Sequence, residues 1–357
     1  MKILIIGYQK KIQPTCIYLE SIGHCAYLIR GQTEPKIVRW NKNFGWEDWY
    51  WQASPSMIIW PLQLEEIARD NLGTNIEKYA LEHDIEVIIN FSEHPYFLEL
   101  ENKLRIIYNI KDIIPSNVLK FFSSKAIQDS VCKKLDIPTI PNNSSKVILK
   151  YDGQGGGMNH TIIDKTQESL EDIMILRDDG LALTPLNEWT TYIIQNYIDI
   201  DYQISCHFYC DGNTWYHINN HIMYYADNCP DISYTSYIMK DDDKEIITNS
   251  IKKLSNELNI PNRLVGWQFV KTKDGKLYST DFNARPFGGF EAGSYDTDVS
   301  DQNWINYLIG NYPPEEIEYN NVIECNYLEK VLFGYSELDR KKVSLTDTIK
   351  FKVECYD

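Results

Sequence analysis

Short apolar runs alternate with a helical pattern along the first third of the chain. Four runs have the length of buried strands, and they lie at Lys2–Ile6, Cys25–Arg30, Met57–Trp60 and Glu86–Phe91. Leu64–Leu81, between the third and fourth runs, has apolar residues at helical spacing. Strands that alternate with helices are typical of a parallel α/β lobe. The pattern therefore predicts such a lobe over residues 1–115.

The middle of the chain predicts a second region in which strands and helices are mixed. A helix is expected over Asn117–Leu135, and the sequence IPTIP at 137–141 ends it. Further helices are expected near Gln167–Arg177 and over Asp243–Leu258. The predicted strands are Lys146–Tyr151, Thr191–Tyr197, a hairpin over Tyr202–Tyr225 that turns at Asp211-Gly212, and, in the tail, Val322–Lys330 and Ile349–Cys355.

Two more strands, joined at Asp274-Gly275, are predicted within Val265–Gly289, and the second carries polar residues at every other position. Those residues are Asp281, Asn283 and Arg285. Because side chains two residues apart point to the same face of a strand, one face presents a carboxylate, an amide and a guanidinium. The two oxygen groups suit Mg²⁺, and the guanidinium suits phosphate or carboxylate. A strand edge with ordinary surface polar groups is the alternative. Pro286 and Gly288-Gly289 favour the ligand site, since glycine lets backbone approach a ligand closely.

A glycine-rich segment follows the strand on which Lys150 lies. Its glycines are Gly153, Gly155, Gly156 and Gly157. Such a loop can present successive backbone N–H groups to phosphate oxygens. It lacks the G-K-[ST] ending of a P-loop, and a glycine-rich surface turn is the alternative. The lysine before the loop favours phosphate binding.

Composition narrows the possible function classes. The chain has 357 residues, enough for two or three lobes, and its 43% hydrophobic and 24% charged residues indicate a globular protein. A net charge of −16 argues against an extended nucleic-acid or anionic-membrane surface, because such surfaces need clustered Lys and Arg. A local basic pocket for ATP is compatible with an acidic exterior. No segment approaches the ~20 apolar residues of a membrane span.

The cysteines and the apolar run at the N-terminus indicate the cellular compartment of the protein. The eight cysteines include no C-x-x-C pair, so they indicate reduced thiols rather than a disulfide framework. The apolar run at the N-terminus is too short for the core of a signal peptide and lacks a small-residue cleavage site. We therefore expect a cytoplasmic protein.

In their order along the chain, these segments resemble the ATP-grasp superfamily over roughly residues 1–310. Phe122-Ser123-Ser124-Lys125, followed by an amphipathic helix, resembles the region of the first phosphate-binding lysine. Lys150 with Gly153–Gly157 resembles the second lysine and its flexible loop. Asp281-x-Asn283-x-Arg285 resembles the late strand that binds Mg²⁺ and phosphate.

The resemblance also implies where the rest of the nucleotide binds. Tyr192–Ile198 resembles the strand that contacts adenine, and Asp201 the acidic residue that contacts ribose. The implied nucleotide contacts beyond the lysines and glycines are Gln195, Asn196, Tyr197, Ile198 and Asp201. Two positions depart from the superfamily pattern. Gln195 stands in place of the more usual Glu, and Gln268 stands where an acidic metal ligand is common; an amide oxygen still coordinates a cation, with less charge.

The fold implied by the resemblance is of mixed α/β and α+β class, an ATP-grasp fold in three lobes. Residues 1–115 would form the N-terminal parallel α/β (pre-ATP-grasp) lobe. Residues 116–195 would form the central lobe with the glycine-rich loop, and residues 196–320 the C-terminal lobe with the metal strand. Residues 321–357 would be an extension without an assigned role.

The activity implied by the resemblance is ATP-dependent joining of a carboxylate to an amine through an acyl phosphate. Arg285 and Lys150 would act in catalysis, and Asp281, Asn283 and Gln268 would hold Mg²⁺. The alternatives are an ATP-grasp enzyme with a thiol, bicarbonate or peptide side chain as acceptor, or an ATP-binding protein without activity. Small-molecule substrates are expected, and the superfamily makes a homodimer an expectation.

Several side chains are candidates for substrate contacts. Arg263 would hold a substrate carboxylate or be a surface cation at a helix end, and Glu291, just after Gly288-Gly289, would bind the charge of the amine or be a solvated carboxylate. For His207, His217 and His221, a satisfied histidine is favoured over a substrate contact. The tryptophan-rich segment 40–51 is expected to cover a sheet edge, with a substrate or partner platform as the alternative.

Overall fold

The computed structural model divides the chain into two compact units. One comprises Met1–Ile127, Pro141–Tyr197 and Ile260–Arg263, and the other comprises Gln128–Ile140, Ile198–Asn259 and Leu264–Asp357. The structure describes residues 1–6, 9–30, 36–42, 80, 82–92, 95–141, 146–151, 161–164, 192–226, 229–236, 239–286, 303–310, 327–329, 331–332 and 342–344. The predicted elements at Met57–Trp60, Leu64–Leu81, Gln167–Arg177 and Ile349–Cys355 lie outside these residues, apart from Ala80. The division into four segments at 115, 195 and 320 stays a prediction.

A four-stranded sheet in the order β3-β2-β1-β4 lies in the first unit. Its strands are β1 (Lys2–Ile6), β2 (Cys25–Arg30), β3 (Lys36–Arg39) and β4 (Val87–Asn90). Strand β1 pairs in parallel with β2 and β4, which confirms the predicted parallel strands. Strand β3 was not expected from its pattern, and it pairs antiparallel with β2. Ile3–Ile6 are fully buried, as in a parallel strand covered on both faces.

Among the described residues, the helices α1 (Gln9–Ser21) and α2 (Pro95–Ile107) belong to this sheet region. Leu100 and Leu104 of α2 lie in one buried cluster with Leu4 and Ile6 of β1. This spacing of four residues puts both leucines on the helix face that the core covers.

The predicted helix Asn117–Leu135 is two helices, α3 (Ser116–Ser123) and α4 (Lys125–Lys134), so the prediction of one helix is wrong. Ser124 breaks it, because this residue has extended backbone (φ −143°, ψ 118°). Its Oγ accepts a hydrogen bond from the backbone N–H of Ile127 at 3.2 Å, so Ser124 caps the second helix. The apolar periodicity continues across the break and conceals it.

A three-stranded antiparallel sheet in the order β6-β5-β7 also lies in the first unit. Its strands are β5 (Lys146–Tyr151), β6 (Thr161–Asp164) and β7 (Tyr192–Asn196). The predicted strand Lys146–Tyr151 is confirmed. Lys150 is in register with Ile193 of β7.

The second unit is built on a six-stranded sheet in the order β12-β11-β8-β9-β10-β14. Its strands are β8 (Ile200–Gly212), β9 (Thr214–Ala226), β10 (Cys229–Ser236), β11 (Ile260–Thr272), β12 (Leu277–Asn283) and β14 (Val331–Leu332). The other described elements are β13 (Tyr327–Glu329), which pairs with β15 (Lys342–Ser344), and the helices α5 (Asp241–Glu257) and α6 (Asn303–Leu308). The two predicted hairpins, β8–β9 and β11–β12, are confirmed.

Glycines turn both hairpins. Asp211 pairs with Thr214, so the first turn lies at Gly212-Asn213, one residue later than predicted. Gly212 has φ +68°, and a Cβ there would lie 3.2 Å from Oδ1 of Asn259, so glycine suits this position on both grounds. Gly275 has φ +84° in the second turn, at the predicted place.

A buried carboxylate attaches α5 to the sheet. Tyr202 Oη donates to Asp243 Oδ2 at 2.5 Å, and Lys271 Nζ lies 2.6 Å from Asp243 Oδ1. The lysine compensates the charge of Asp243, which is buried.

In the described part of the chain, no helix combines the length and apolar character that a membrane crossing requires.

Candidate functional site

The three residues predicted to hold a metal lie together on the β11–β12 hairpin. Gln268 is in register directly opposite Asp281, and Asn283 is in register opposite Gly266. Cross-strand partners share a face of the sheet, and so do residues two apart on one strand. Gln268, Asp281 and Asn283 therefore present oxygen groups on the same face, and Gly266 adds no side chain beside Asn283.

The opposite face of the hairpin is apolar. Trp267 and Phe282 are in register, their ring centroids are 5.5 Å apart, and both side chains are fully buried. Phe282 also packs against Trp215 of β9 at 5.7 Å. Since Trp267 and Phe282 alternate with the polar residues, burying them turns Gln268, Asp281 and Asn283 to the other face.

Strand β8 adds two polar residues, Ser205 and His207, to this face, and neither was predicted there from the sequence. Gln268 Nε2 lies 3.4 Å from Ser205 Oγ, so Ser205 is on the face of Gln268. His207, two residues further along β8, alternates onto the same face and is fully buried. The alternation of side chains along β8 could have predicted that Ser205 and His207 share one face of the strand. Only the order of the strands in the sheet shows that this face adjoins the β11–β12 hairpin.

The donor set fits Mg²⁺ chemically. It consists of one carboxylate and two amide groups, all of which offer hard oxygen atoms, and Mg²⁺ is commonly held by one or two carboxylates together with substrate phosphates. Gln268 uses its amide nitrogen toward Ser205, which is the orientation that leaves the oxygen as its coordinating atom. Within the described ranges, no group of three His, Cys, Asp or Glu residues is placed to hold a metal ion alone.

The outer edge of β12 is covered by α4 and the loop after it. Gln128 Nε2 donates to the carbonyl oxygen of Phe282 at 2.7 Å, and Phe282 N–H donates to Gln128 Oε1 at 3.1 Å. Ser279 N–H donates to the carbonyl oxygen of Pro138 at 2.8 Å. Gln128 was not recognised from the sequence, where a glutamine in an amphipathic helix carries no distinguishing signal.

Arg285 follows the hairpin and is buried, with 9% of its surface exposed. Its Nη1 donates to the carbonyl oxygen of Pro286 at 2.7 Å. The guanidinium is thus held near its own backbone, and its role toward a phosphoryl group stays a prediction.

The two predicted phosphate lysines and the adenine contacts up to Tyr197 belong to the first unit, whereas Ile198 belongs to the second. Lys125 is half-buried and begins α4, and Lys150 lies on β5. Past the end of β7, Tyr197 N–H donates to the carbonyl oxygen of Lys146 at 2.9 Å, which continues the strand pairing by one residue. The buried side chain of Asn196 donates to the carbonyl oxygen of Pro141, so only its backbone is suited to a base contact.

Among the remaining nucleotide contacts, Gln195 and Ile198 are half-buried, whereas Asp201 is exposed at the start of β8. Gly153, Gly155, Gly156, Gly157, Gly288, Gly289 and Glu291 lie outside the described residues. The roles of all these residues stay predictions.

Arg263, the predicted substrate contact, lies in a buried ionic cluster. Glu101 of α2 is fully buried and pairs with Arg263, with Arg105 at 2.8 Å and with Asn90 Nδ2 at 2.9 Å. Burial alone would raise the pKa of the Glu101 carboxyl, but the two guanidinium groups outweigh burial and hold this pKa below its ordinary value. Arg263 therefore has a structural partner, and its contact with substrate stays a prediction.

Solved structures similar to this chain have the ATP-grasp fold. They include the L-amino acid ligase of Bacillus licheniformis (TM-score 0.63, 13% identity, 94% of this chain and 80% of that one). A second is the 2-oxoglutarate carboxylase biotin carboxylase domain of Hydrogenobacter thermophilus with MgADP and bicarbonate (TM-score 0.62, 16% identity, 92% and 73%). A third is the N5-carboxyaminoimidazole synthetase of Staphylococcus aureus with ADP (TM-score 0.56, 12% identity, 99% and 97%).

The likeness to these structures establishes the fold. This chain has the ATP-grasp fold, which confirms the predicted fold and its mixed α/β class. No protein-family model matches the sequence, and no curated protein matches it either.

Proposed function

We propose that this protein is an ATP-dependent ligase that activates a carboxylate as an acyl phosphate and joins it to an amine, releasing ADP and phosphate. The observation that carries the proposal is the shared oxygen face of Gln268, Asp281 and Asn283 on an ATP-grasp fold. The similar solved structures also support it, since they include an L-amino acid ligase and proteins bound to ADP or MgADP.

The first step would bring two anions together. A carboxylate oxygen of the substrate attacks the γ-phosphorus, and the bond between that phosphorus and the departing ADP oxygen breaks. Lys125 and Lys150 would offset the phosphate charge, together with backbone N–H groups of residues 153–157. Mg²⁺, held by Asp281 and Asn283 with Gln268, would supply further neutralisation at the phosphate oxygens.

The second step would join the acyl group to the amine. The amine nitrogen attacks the acyl carbon, phosphate leaves with the electrons of the acyl C–O bond, and the nitrogen loses one proton. Arg285 would stabilise both the transferring phosphoryl group and the tetrahedral oxyanion. Arg263, Gly288, Gly289 and Glu291 would contact the acid or the amine.

The adenosine part of ATP would bind at the end of β7. Backbone groups at Asn196 and Ile198 would contact adenine, with Gln195 and Tyr197 beside them. Asp201, which is exposed, would accept hydrogen bonds from the ribose hydroxyls.

The test is ADP release from ATP across pairs of amino acids and related acids, with hydroxylamine added to trap the acyl phosphate. Mutating a residue that only orients a metal ligand typically lowers metal affinity or activity about 10–100-fold, and mutating a direct ligand should cost more. We therefore expect Asp281→Ala to lower kcat/KM by more than ~100-fold. Asp274→Asn is the matched control, because Asp274 belongs to the same hairpin and, within the described residues, pairs with exposed Lys276 and nearby Thr272 in the turn. Equal activity of Asp281→Ala and wild type would refute the metal assignment. ATP that binds without turnover for any acid would favour a protein without activity.

A second candidate shares the first half of this chemistry and uses bicarbonate as the acid. It is favoured by the similar biotin carboxylase domain, whose structure contains bicarbonate. ADP release that requires bicarbonate and proceeds without any added amino acid would select this candidate.

A further inference from the structure

Strand β12 is an edge strand, and it carries two of the three proposed metal ligands. The six-stranded sheet begins with β12, whose inner neighbour is β11. Phe282 lies between Asp281 and Asn283, and its backbone N–H and C=O both bond to Gln128. Those two groups therefore point to the outer edge of the sheet, where none of the described strands pairs with them.

The side chain of Gln128 takes the place of a peptide group of a neighbouring strand. Its amide offers one donor and one acceptor, which match the N–H and C=O of a single residue. Gln128 is buried, with 6% of its surface exposed, so water does not readily replace these hydrogen bonds. A buried peptide group without partners is costly, so the two bonds restrict the backbone of Phe282 to one orientation.

Because Asp281 and Asn283 are the chain neighbours of Phe282, a fixed backbone at Phe282 also restricts the directions of these two side chains. The directions of the Asp281 and Asn283 side chains depend on the backbone angles on either side of Phe282. Another contact at this edge, between Pro138 and Ser279, lies two residues before Asp281. Gln128 is the contact located between the two ligands.

We propose that Gln128 is a positioning residue for the metal site, a role that rests on the proposed function. Its amide clamps Phe282 so that Asp281 and Asn283 converge on one cation.

The experiment uses Mn²⁺ as the probe, measured by electron paramagnetic resonance on the full chain with saturating ADP. The variant Gln128→Met keeps the length of the side chain and removes both hydrogen bonds. We expect the dissociation constant of Mn²⁺ to rise by about 10–100-fold, as for other partners that orient metal ligands, while ADP affinity without metal stays unchanged. Gln128→Asn keeps the amide but is one methylene too short to span Phe282, and we expect a loss in the same direction.

Cys132→Ala is the matched control. Cys132 lies one helical turn after Gln128 and is buried, and its Sγ is 3.8 Å from Ser279 Oγ on the same strand. It therefore connects the same two elements away from the ligands, and we expect Mn²⁺ affinity within about 3-fold of wild type. If both Gln128 variants match Cys132→Ala in Mn²⁺ affinity, the positioning role is wrong.

Amide hydrogen exchange separates this inference from the proposed function. We expect the N–H of Phe282 to lose protection in Gln128→Met and to keep it in Cys132→Ala, with no nucleotide present. A wild-type chain that binds no Mn²⁺ with ADP would overturn both the ligase and the positioning role. Tight wild-type binding that survives in both Gln128 variants would overturn the positioning role alone.

Discussion

Helices α2 and α4 attach to their strands through residues at the same spacing, but with different chemistry. Glu101 and Arg105 of α2 contact β4, where Asn90 donates to Glu101 and Arg105 Nη2 donates to the carbonyl oxygen of Ile88 at 3.2 Å. Gln128 and Cys132 of α4 contact β12 at Phe282 and Ser279. The first attachment uses buried charges, whereas the second uses an amide and a thiol. Burial raises the pKa of the Cys132 thiol to about 11, so it too is neutral near pH 7.

The difference teaches how each attachment responds to change. A buried carboxylate between two guanidinium groups depends on every partner, because the loss of one leaves an uncompensated charge that costs about 3–5 kcal/mol. Removing one partner of a neutral buried hydrogen bond lowers the free energy of unfolding by about 1–3 kcal/mol, because the other partner stays buried without a hydrogen bond. Only the charged attachment depends on protonation at acidic pH. The neutral one lies beside the proposed metal site, where an extra charge would compete with the ligands.

The largest effect is expected from Glu101→Leu. This change leaves Arg105 and Arg263 buried without their carboxylate, so we expect the free energy of unfolding to fall by about 3–5 kcal/mol. Urea unfolding followed by circular dichroism measures it. The triple variant Glu101→Leu/Arg105→Met/Arg263→Met removes all three charges and should recover much of the loss. A loss below about 1 kcal/mol for Glu101→Leu would contradict this expectation. It would show that water screens the three charges, as it does in a surface ion pair.

The charged attachment also predicts a pH dependence. The pKa of Glu101 is held below its ordinary value of 4.5, so its ionised form stabilises the folded chain at every pH above the unfolded value. This contribution is lost as the pH falls through the lower folded pKa. We expect the stability advantage of wild type over Glu101→Gln to be constant from pH 7 to about pH 5 and to shrink below pH 4.5. Unfolding titrations of both proteins across this range measure it, and an advantage that grows on acidification would contradict the sign.

A smaller effect is expected in the neutral region from Trp267→Phe. Trp267 Nε1 donates to Ser279 Oγ at 2.8 Å, and its ring packs on Phe282. The change removes one buried hydrogen bond and part of a ring, so we expect a loss of about 1–2 kcal/mol that does not vary between pH 7 and 4. Urea unfolding at both pH values measures it. A loss as large as that of Glu101→Leu would erase the contrast between the two attachments.

Local patterns predicted much of the fold. Apolar runs located β1, β2 and β5 at their observed bounds. In β1 and β2 the run is a continuous buried hydrophobic segment, which is a strong local signal. The break at Ser124 was missed, since α3 and α4 keep one apolar periodicity across it. Strand β3 was also missed, because a four-residue edge strand with one buried position has almost no pattern to detect.

The sequence by itself determined the oxygen face of β12, since alternation along a strand is a local property that puts Asp281 and Asn283 on one side once Phe282 is buried. Only the tertiary structure decided which residues surround that face. Gln128 reaches Phe282 from 154 positions away, and Arg263 reaches Glu101 from 162. Such contacts arise where the chain closes on itself, and their residue types carry no local periodicity that would reveal the partner. The pairing of Gln268 with Asp281 falls between these cases, because it needed both a readable hairpin and a register that only the folded strands establish.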